Sequence, residues 1–382
     1  MLEEIVRFFS AGILSIGLKE IAMYLIGAAL IWLAIEKDYE PMLLLPIGFG
    51  AILINLPLGT VWEMYGEPGI LQTLFNAGIL SEVFPLLIFI GVGAMIDFSP
   101  LFQRPWLMLF GAAAHIGIFV TVIIAMAFGY DLKEAACIGV IGAADGPTTI
   151  IVTKQFAKDL LGPIMVVAYS YMSLVPIIQP PVIRALTTKK ERLIRMQAVD
   201  HQIPRSVTIS FPIIVTIVSC LLVPMGAPLI GFLMFGNLLR VCGVLEKLSS
   251  TAQNELANIV TLLLGISVAA SMRADAFLRL ETLGIMALGL IAFIINTAGG
   301  VLFAKLINLF LPKTKKINPM IGACGISAFP MSSRVIQKMA LKDDPHNIIL
   351  MHAVSANVSG QLGSVIAGGL LLALVPLLAG GM

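Results

Sequence analysis

One carboxylate stands where the chain is otherwise apolar: Asp145, in the run IGAADGPTTIIV of residues 141–152. An ionised carboxylate in such a setting costs about 2.5 kcal/mol or more at membrane depth, so it needs a cation or a proton beside it. Gly146 and Pro147 follow directly. Glycine weakens a helix and proline removes a backbone donor, so the segment is broken at this point and carbonyl oxygens come free. Thr148 and Thr149 add hydroxyls. One carboxylate, free carbonyls and hydroxyls form a hard-oxygen set that suits an alkali cation or a proton relay. The competing reading is a solvated turn outside any membrane, because Asp-Gly-Pro is also good turn chemistry.

A second constellation is SANVSGQLGSVIAGG, residues 355–369. Ser355, Asn357, Ser359, Gln361 and Ser364 interrupt an apolar run, among Gly360, Gly363, Gly368 and Gly369. Small residues let helices approach closely, and polar side chains can serve as interhelical glue. The polar groups here exceed that need, and Gly360, Ser364 and nearly Asn357 share one helical face. A third is AYSYMSLVPIIQPP, residues 168–181. A tyrosine within a span can donate to a carboxylate or relay a proton, and Tyr171 lies deeper than Tyr169, which suits an interfacial aromatic belt. A fourth is SAFPMSSR, residues 327–334, where Arg334 either meets an anionic substrate near an entry or snorkels to the surface. His115, His201, His346 and His352 share no metal-like spacing, and Cys137, Cys220, Cys242 and Cys324 lie far apart without a CxxC.

The elements that must hold these residues follow from composition. Of 382 residues, 58% are hydrophobic and 12% charged, the latter against roughly 25% in soluble domains. A soluble enzyme, a disordered chain and a nucleic-acid binder are excluded. The net charge of +2 singles out no partner. At about 20 residues per crossing, the chain is an all-α polytopic membrane protein with about 9–11 transmembrane helices. Residues 184–205 carry six Lys and Arg against Glu191 and Asp200, which makes this loop cytoplasmic by the positive-inside rule. Lys313, Lys315 and Lys316 belong on the same side. The N-terminal stretch 1–20 carries Glu3 and Glu4 where a signal peptide wants positive charge, and it predicts a retained amphipathic helix.

The chain reads as a duplication. GILQTLFNAGILSEVFPLLIFIG at 69–91 is similar to GVLEKLSSTAQNELANIVTLLLG at 243–265. Further along, and at nearly the same spacing, IGAADGP at 141–147 is similar to IGACGIS at 321–327, and Pro163 is matched by Pro345. The slight drift in spacing is what short loop insertions produce. Repeats with interrupted segments at equivalent places mark a secondary-transporter architecture. If every apolar element crosses, the repeats are parallel; with the glycine- and proline-broken 134–153 re-entrant, like 319–337, they are inverted, which is the architecture expected, and both basic loops lie inside. The organisation expected is a helix and first span at 1–40, repeat 1 at 41–185, a basic loop and linking helix at 186–224, and repeat 2 at 225–382. Aligning the repeats places Tyr171 and Asn357 within one turn of equivalent positions, both toward a central site.

With GAADGPT, YSYMSLVPIIQPPVIRAL and NVSGQLGSVIAGG in that order, the chain resembles the beta subunit of the sodium-pumping, biotin-dependent decarboxylases that serve oxaloacetate, methylmalonyl-CoA and glutaconyl-CoA. The resemblance runs from about residue 20 to 380. It implies a subunit of the cell inner membrane that decarboxylates carboxybiotin, consumes a proton and exports sodium ions. Its implied partners are a biotin carrier, a carboxyltransferase alpha subunit and a small membrane gamma or delta subunit. No Met-Lys attachment motif occurs, so the biotin belongs to a partner. The family's functional residues carry over to Asp145, Tyr171, Asn357, Gly360 and Ser364. Ser359 joins the expected sodium ligands, and Tyr171, Asp145 and Arg334 are the expected catalytic groups. The family pattern has a basic residue late in the last helix. Here no Lys or Arg follows Lys342, which makes Arg334 the nearest counter-charge for carboxybiotin. The alternative is a sodium–carboxylate symporter of the same architecture. Homo-oligomerisation and the acid that feeds the complex are not set by the sequence.

Overall fold

The computed structural model describes residues 10–64, 66–196, 203–312 and 315–380. Lys313, His201 and most of the expected N-terminal helix lie outside the described residues; of that helix, residues 10–14 are helical. Apart from one hairpin, Glu63–Met64 paired with Glu67–Pro68, the regular structure is helical.

The helices that matter here are α1 (Leu18–Lys37), α2 (Pro41–Ile54), α3 (Ile70–Leu74), α4 (Val83–Met95), α5 (Met108–Ala127), α6 (Leu132–Ile141), α7 (Gly146–Phe156), α8 (Leu161–Ser173) and α9 (Val175–Leu186). They continue as α10 (Arg205–Leu222), α11 (Ala227–Val241), α12 (Glu246–Thr251), α13 (Ala257–Ala269), α14 (Leu280–Phe310), α15 (Met331–Asp343) and α16 (Leu350–Leu378). Among the described residues, seven helices are long and apolar enough to cross a membrane, and nine if two bent pairs each count as one span. The first pair runs Ile70–Leu80 and Val83–Met95, bent by 59° where Glu82 has a left-handed φ of 68°. The second runs Lys158–Ser173 and Val175–Leu186, bent by 68°. Pro176 sits at the start of α9, where its missing N–H and its ring break the ladder.

Burial sorts the spans. Only 6% of the apolar window of α10 is buried, against 50% for α5 and for α14 and 56% for α16. The last three form the inner frame: α5 packs against both α14 and α16. The span that ends in α13 begins earlier, with α12, and passes through a π-helical turn at Ala252–Leu256. A second π-helical turn, Phe75–Leu80, lies in the matching stretch of the first half. Element packing recurs in the same way: α2 lies on α13, and α11 lies on α4.

Both glycine- and proline-bearing segments are interrupted. In the first, α6 stops at Ile141 and α7 starts at Gly146, with Ala144 between them at φ 55°. In the second, a tight 3-10 helix over Pro319–Gly325 gives way to α15 at Met331. The two breaks touch, the Ser327 amide donating to the Ala143 carbonyl at 3.0 Å. That bond gives both unwound segments a backbone partner where they are buried in protein.

Candidate functional site: a buried carboxylate at the meeting of two broken segments

Asp145 is the N-cap of α7. Its sequence makes it one: the carboxylate can reach back to the third helical amide, and Pro147 occupies a position whose N–H would have no helical partner. Oδ1 accepts from the Thr148 amide at 3.2 Å, and Oδ2 accepts from the Thr148 hydroxyl at 2.8 Å. The Thr149 hydroxyl donates to the Asp145 carbonyl at 2.7 Å. The positive end of the α7 dipole also favours a negative charge there.

The second half of the chain supplies the rest. Ser364 of α16 donates to Asp145 Oδ2 at 2.5 Å, and its oxygen lies 3.0 Å from the Ser327 hydroxyl. Ser327 in turn lies 3.3 Å from Gln361 Oε1. Each hydroxyl has one proton. With the Ser364 proton on Asp145, the Ser327 proton goes to Ser364 or to Gln361. Asp145 is 3% exposed, yet among the described residues no Lys, Arg or His pairs with it. A buried charge without a partner is costly, so the arrangement calls for a cation or a proton. Among the described residues no three His, Cys, Asp or Glu come together. The donors are one carboxylate and hydroxyl oxygens, which are hard ligands.

The other expected residues divide. Asn357 and Gly360 of α16 face the second break rather than Asp145. The Asn357 amide donates to the carbonyls of Ile326 at 2.8 Å and Cys324 at 3.3 Å, which leaves its buried Oδ1 unpartnered. Gly360 has no room for a side chain, since a Cβ would lie 2.6 Å from the Gly325 carbonyl oxygen. Ser359 points to α5, donating to the Ala356 carbonyl at 2.7 Å and accepting from the Gly111 amide at 3.1 Å. Tyr171 donates to the Met286 carbonyl of α14 at 2.5 Å. Arg334 is exposed on the first turn of α15, with the Glu40 carboxylate in electrostatic reach.

Two residues join the site that the sequence reading left out of it. Ser327 links Asp145, through Ser364, to Gln361. The spacing from Asp145 to Ser327 equals that from Pro163 to Pro345 in the repeat alignment, and that was the signal available. Tyr169 is 1% exposed, and among the described residues its hydroxyl has no partner. The ring packs on Gly146, the residue after Asp145, so closely that a Cβ on Gly146 would sit 2.6 Å from the phenol oxygen.

The family profile described as Na+-transporting oxaloacetate decarboxylase beta subunit matches residues 19–375. The methylmalonyl-CoA decarboxylase subunit beta of Propionigenium modestum is 46% identical, over 98% of this chain and 100% of that protein. The glutaconyl-CoA decarboxylase subunit beta of Acidaminococcus fermentans is 49% identical, over 92% of each. The oxaloacetate decarboxylase beta chain 2 of Salmonella typhi is 44% identical, over 94% of this chain and 96% of that one. A polytopic helical chain matched from end to end in this way belongs to the family of the Na+-transporting oxaloacetate decarboxylase beta subunit.

Proposed function

We propose that this chain is the subunit that decarboxylates carboxybiotin brought by a partner and couples that step to sodium export, with a proton consumed. The observation that carries the proposal is Asp145: a carboxylate buried at the contact of two broken segments, hydrogen-bonded from both halves of the chain, with no protein cation among the described residues. Sodium is the cargo that supplies the missing charge. When it arrives, the Thr148 and Ser364 hydroxyls turn their lone pairs toward it, and their protons go elsewhere. For Ser364 the alternative acceptor is the Gln361 carbonyl, 3.1 Å away. The unpartnered Oδ1 of Asn357, one helical turn from Gln361, is a further hard oxygen on the same helix. The carboxylated biotin is an anion held on a partner subunit, and Arg334, exposed on α15, is the cation of this chain suited to meet it. The proton is supplied through a tyrosine. Tyr171 was the expected residue and spends its own proton on a carbonyl, while the Tyr169 phenol is free beside Gly146.

The coupling device is the pair of interrupted segments. Two inverted repeats place one break from each half at a shared centre, so a shift of either segment changes access to Asp145 without moving the frame of α5, α14 and α16. The recurring π-helical turns and the recurring α2–α13 and α11–α4 packing support this duplication. The implied partners are a biotin carrier, a carboxyltransferase alpha subunit and a small gamma or delta subunit. The test is the whole complex reconstituted in liposomes. Decarboxylation that needs sodium and accompanies its movement across the bilayer is expected. Dicarboxylate uptake by this chain alone, with no sodium-dependent decarboxylation in the complex, would replace the proposal with a symporter.

A further inference from the structure

The ends of two spans leave a basic hollow away from the Asp145 site. It has a volume of about 580 Å³ and lies where the chain enters α5, where α14 ends, and beside the loop after α9. Its cations are Arg104, Arg195, Lys315 and Lys316, and among the described residues no acidic residue lines it. Its apolar wall is built from Trp106, Leu109 and Leu311. Leu109 is 53% exposed, and next to Leu311 the side chains of Leu309 and Phe310 are 79% and 82% exposed. Surfaces so apolar at the ends of spanning helices face acyl chains, and Trp at such a level marks the membrane interface. Arg195 is engaged with Asp344 at 2.8 Å. Lys315 and Lys316 are exposed and belong to no ion pair among the described residues. A neighbouring hollow of about 550 Å³ on the other side of α14 shares Lys316 and adds Lys190, Lys305 and Glu191, the last two paired at 3.2 Å.

We infer that this hollow binds the phosphate headgroup of an anionic phospholipid, with its acyl chains lying along Trp106, Leu109 and Leu311. The ligand must be an anion, because Lys315 and Lys316 bring positive charge to the lining that no acid pairs with among the described residues. It must also carry an apolar portion, because Trp106, Leu109 and Leu311 line the hollow and Leu109 is half exposed at the end of a span. A phosphodiester bearing acyl chains satisfies both, and clustered Lys and Arg just outside a span are the usual recognition chemistry for it. The bound lipid would brace the end of α14 against the segment that leads into the second break, which starts at Pro319.

The test uses the full chain and the assembled complex, each in neutral detergent, with native mass spectrometry reading retention of phosphatidylglycerol against phosphatidylcholine. Phosphatidylglycerol is expected to be held selectively. The double variant Lys315→Gln/Lys316→Gln is expected to weaken it by roughly 30-fold, about fivefold for each lysine, with phosphatidylcholine unaffected. Both lysines are exposed, and unchanged thermal unfolding of the variant confirms its fold. Equal retention of the two lipids, or a variant that binds like the parent, overturns the inference. So does displacement by millimolar inorganic phosphate, which would make the site one for free phosphate. Binding to the isolated chain that disappears in the complex also overturns it, because a partner segment would then fill the hollow.

Discussion

Replacing Asp145 by Asn separates charge from shape. The Thr148 amide at 3.2 Å still finds an oxygen, and Asn caps a helix as well as Asp does. The new amide group faces the Thr148 and Ser364 hydroxyls, at 2.8 and 2.5 Å from Oδ2 in the parent. Each hydroxyl has spare lone pairs and can turn to accept. Ser364 then gives its proton to the Gln361 carbonyl at 3.1 Å. The fold therefore loses about 1 kcal/mol at most. The cation loses far more: at about 4 Å and an effective dielectric near 20, one opposite charge is worth about 4 kcal/mol, or roughly a thousandfold in affinity. Two assays read this. In one, a sodium titration of decarboxylation by the reconstituted complex should lose its sodium response at concentrations that saturate the parent. In the other, thermal unfolding with and without sodium should show the parent stabilised, by about 2.7 kcal/mol at a hundredfold excess over Kd, and the variant unmoved. An Asn variant with the parent's sodium midpoint would refute the assignment of Asp145 as the cation's counter-charge.

Tyr171→Phe should cost about 1 kcal/mol of stability, because the Met286 carbonyl loses its donor. Tyr169→Phe removes no hydrogen bond and should leave stability intact while shifting the pH profile of decarboxylation. An unchanged profile would remove Tyr169 from the proton path. Gly360→Ala should destabilise by about 1–3 kcal/mol through overpacking on the second break, and a neutral effect on Tm would show that α16 can move aside. At the basic end, hydrogen bonding from Arg195 holds the Asp344 carboxyl below the usual carboxylate range. Its contribution is then present above the ordinary carboxylate value near 4 and is lost as pH falls through the lowered one. Acid unfolding of Asp344→Asn should accordingly be flatter there than the parent's, and superimposable curves would dismiss the pair.

The membrane class, the broken segments and Asp145 were legible in the sequence because each is a local matter. Apolar length sets a span, Gly146 and Pro147 break one, and a lone carboxylate in such a run is costly wherever it lies. Partners across the fold were not legible. Asn357, Ser359, Gly360 and Ser364 all lie on α16, yet only Ser364 reaches Asp145. Tyr169 and Tyr171 are two positions apart and so about 200° apart around their helix; packing gave one to Gly146 and the other to Met286. Ser327 entered the site because two unwound strands from opposite halves of the chain meet there. A helix with one polar face announces which side is buried. A helix such as α16 has its polar residues spread around it with no single polar face, so periodicity leaves its rotation free, and that rotation is set only when its neighbours close around it.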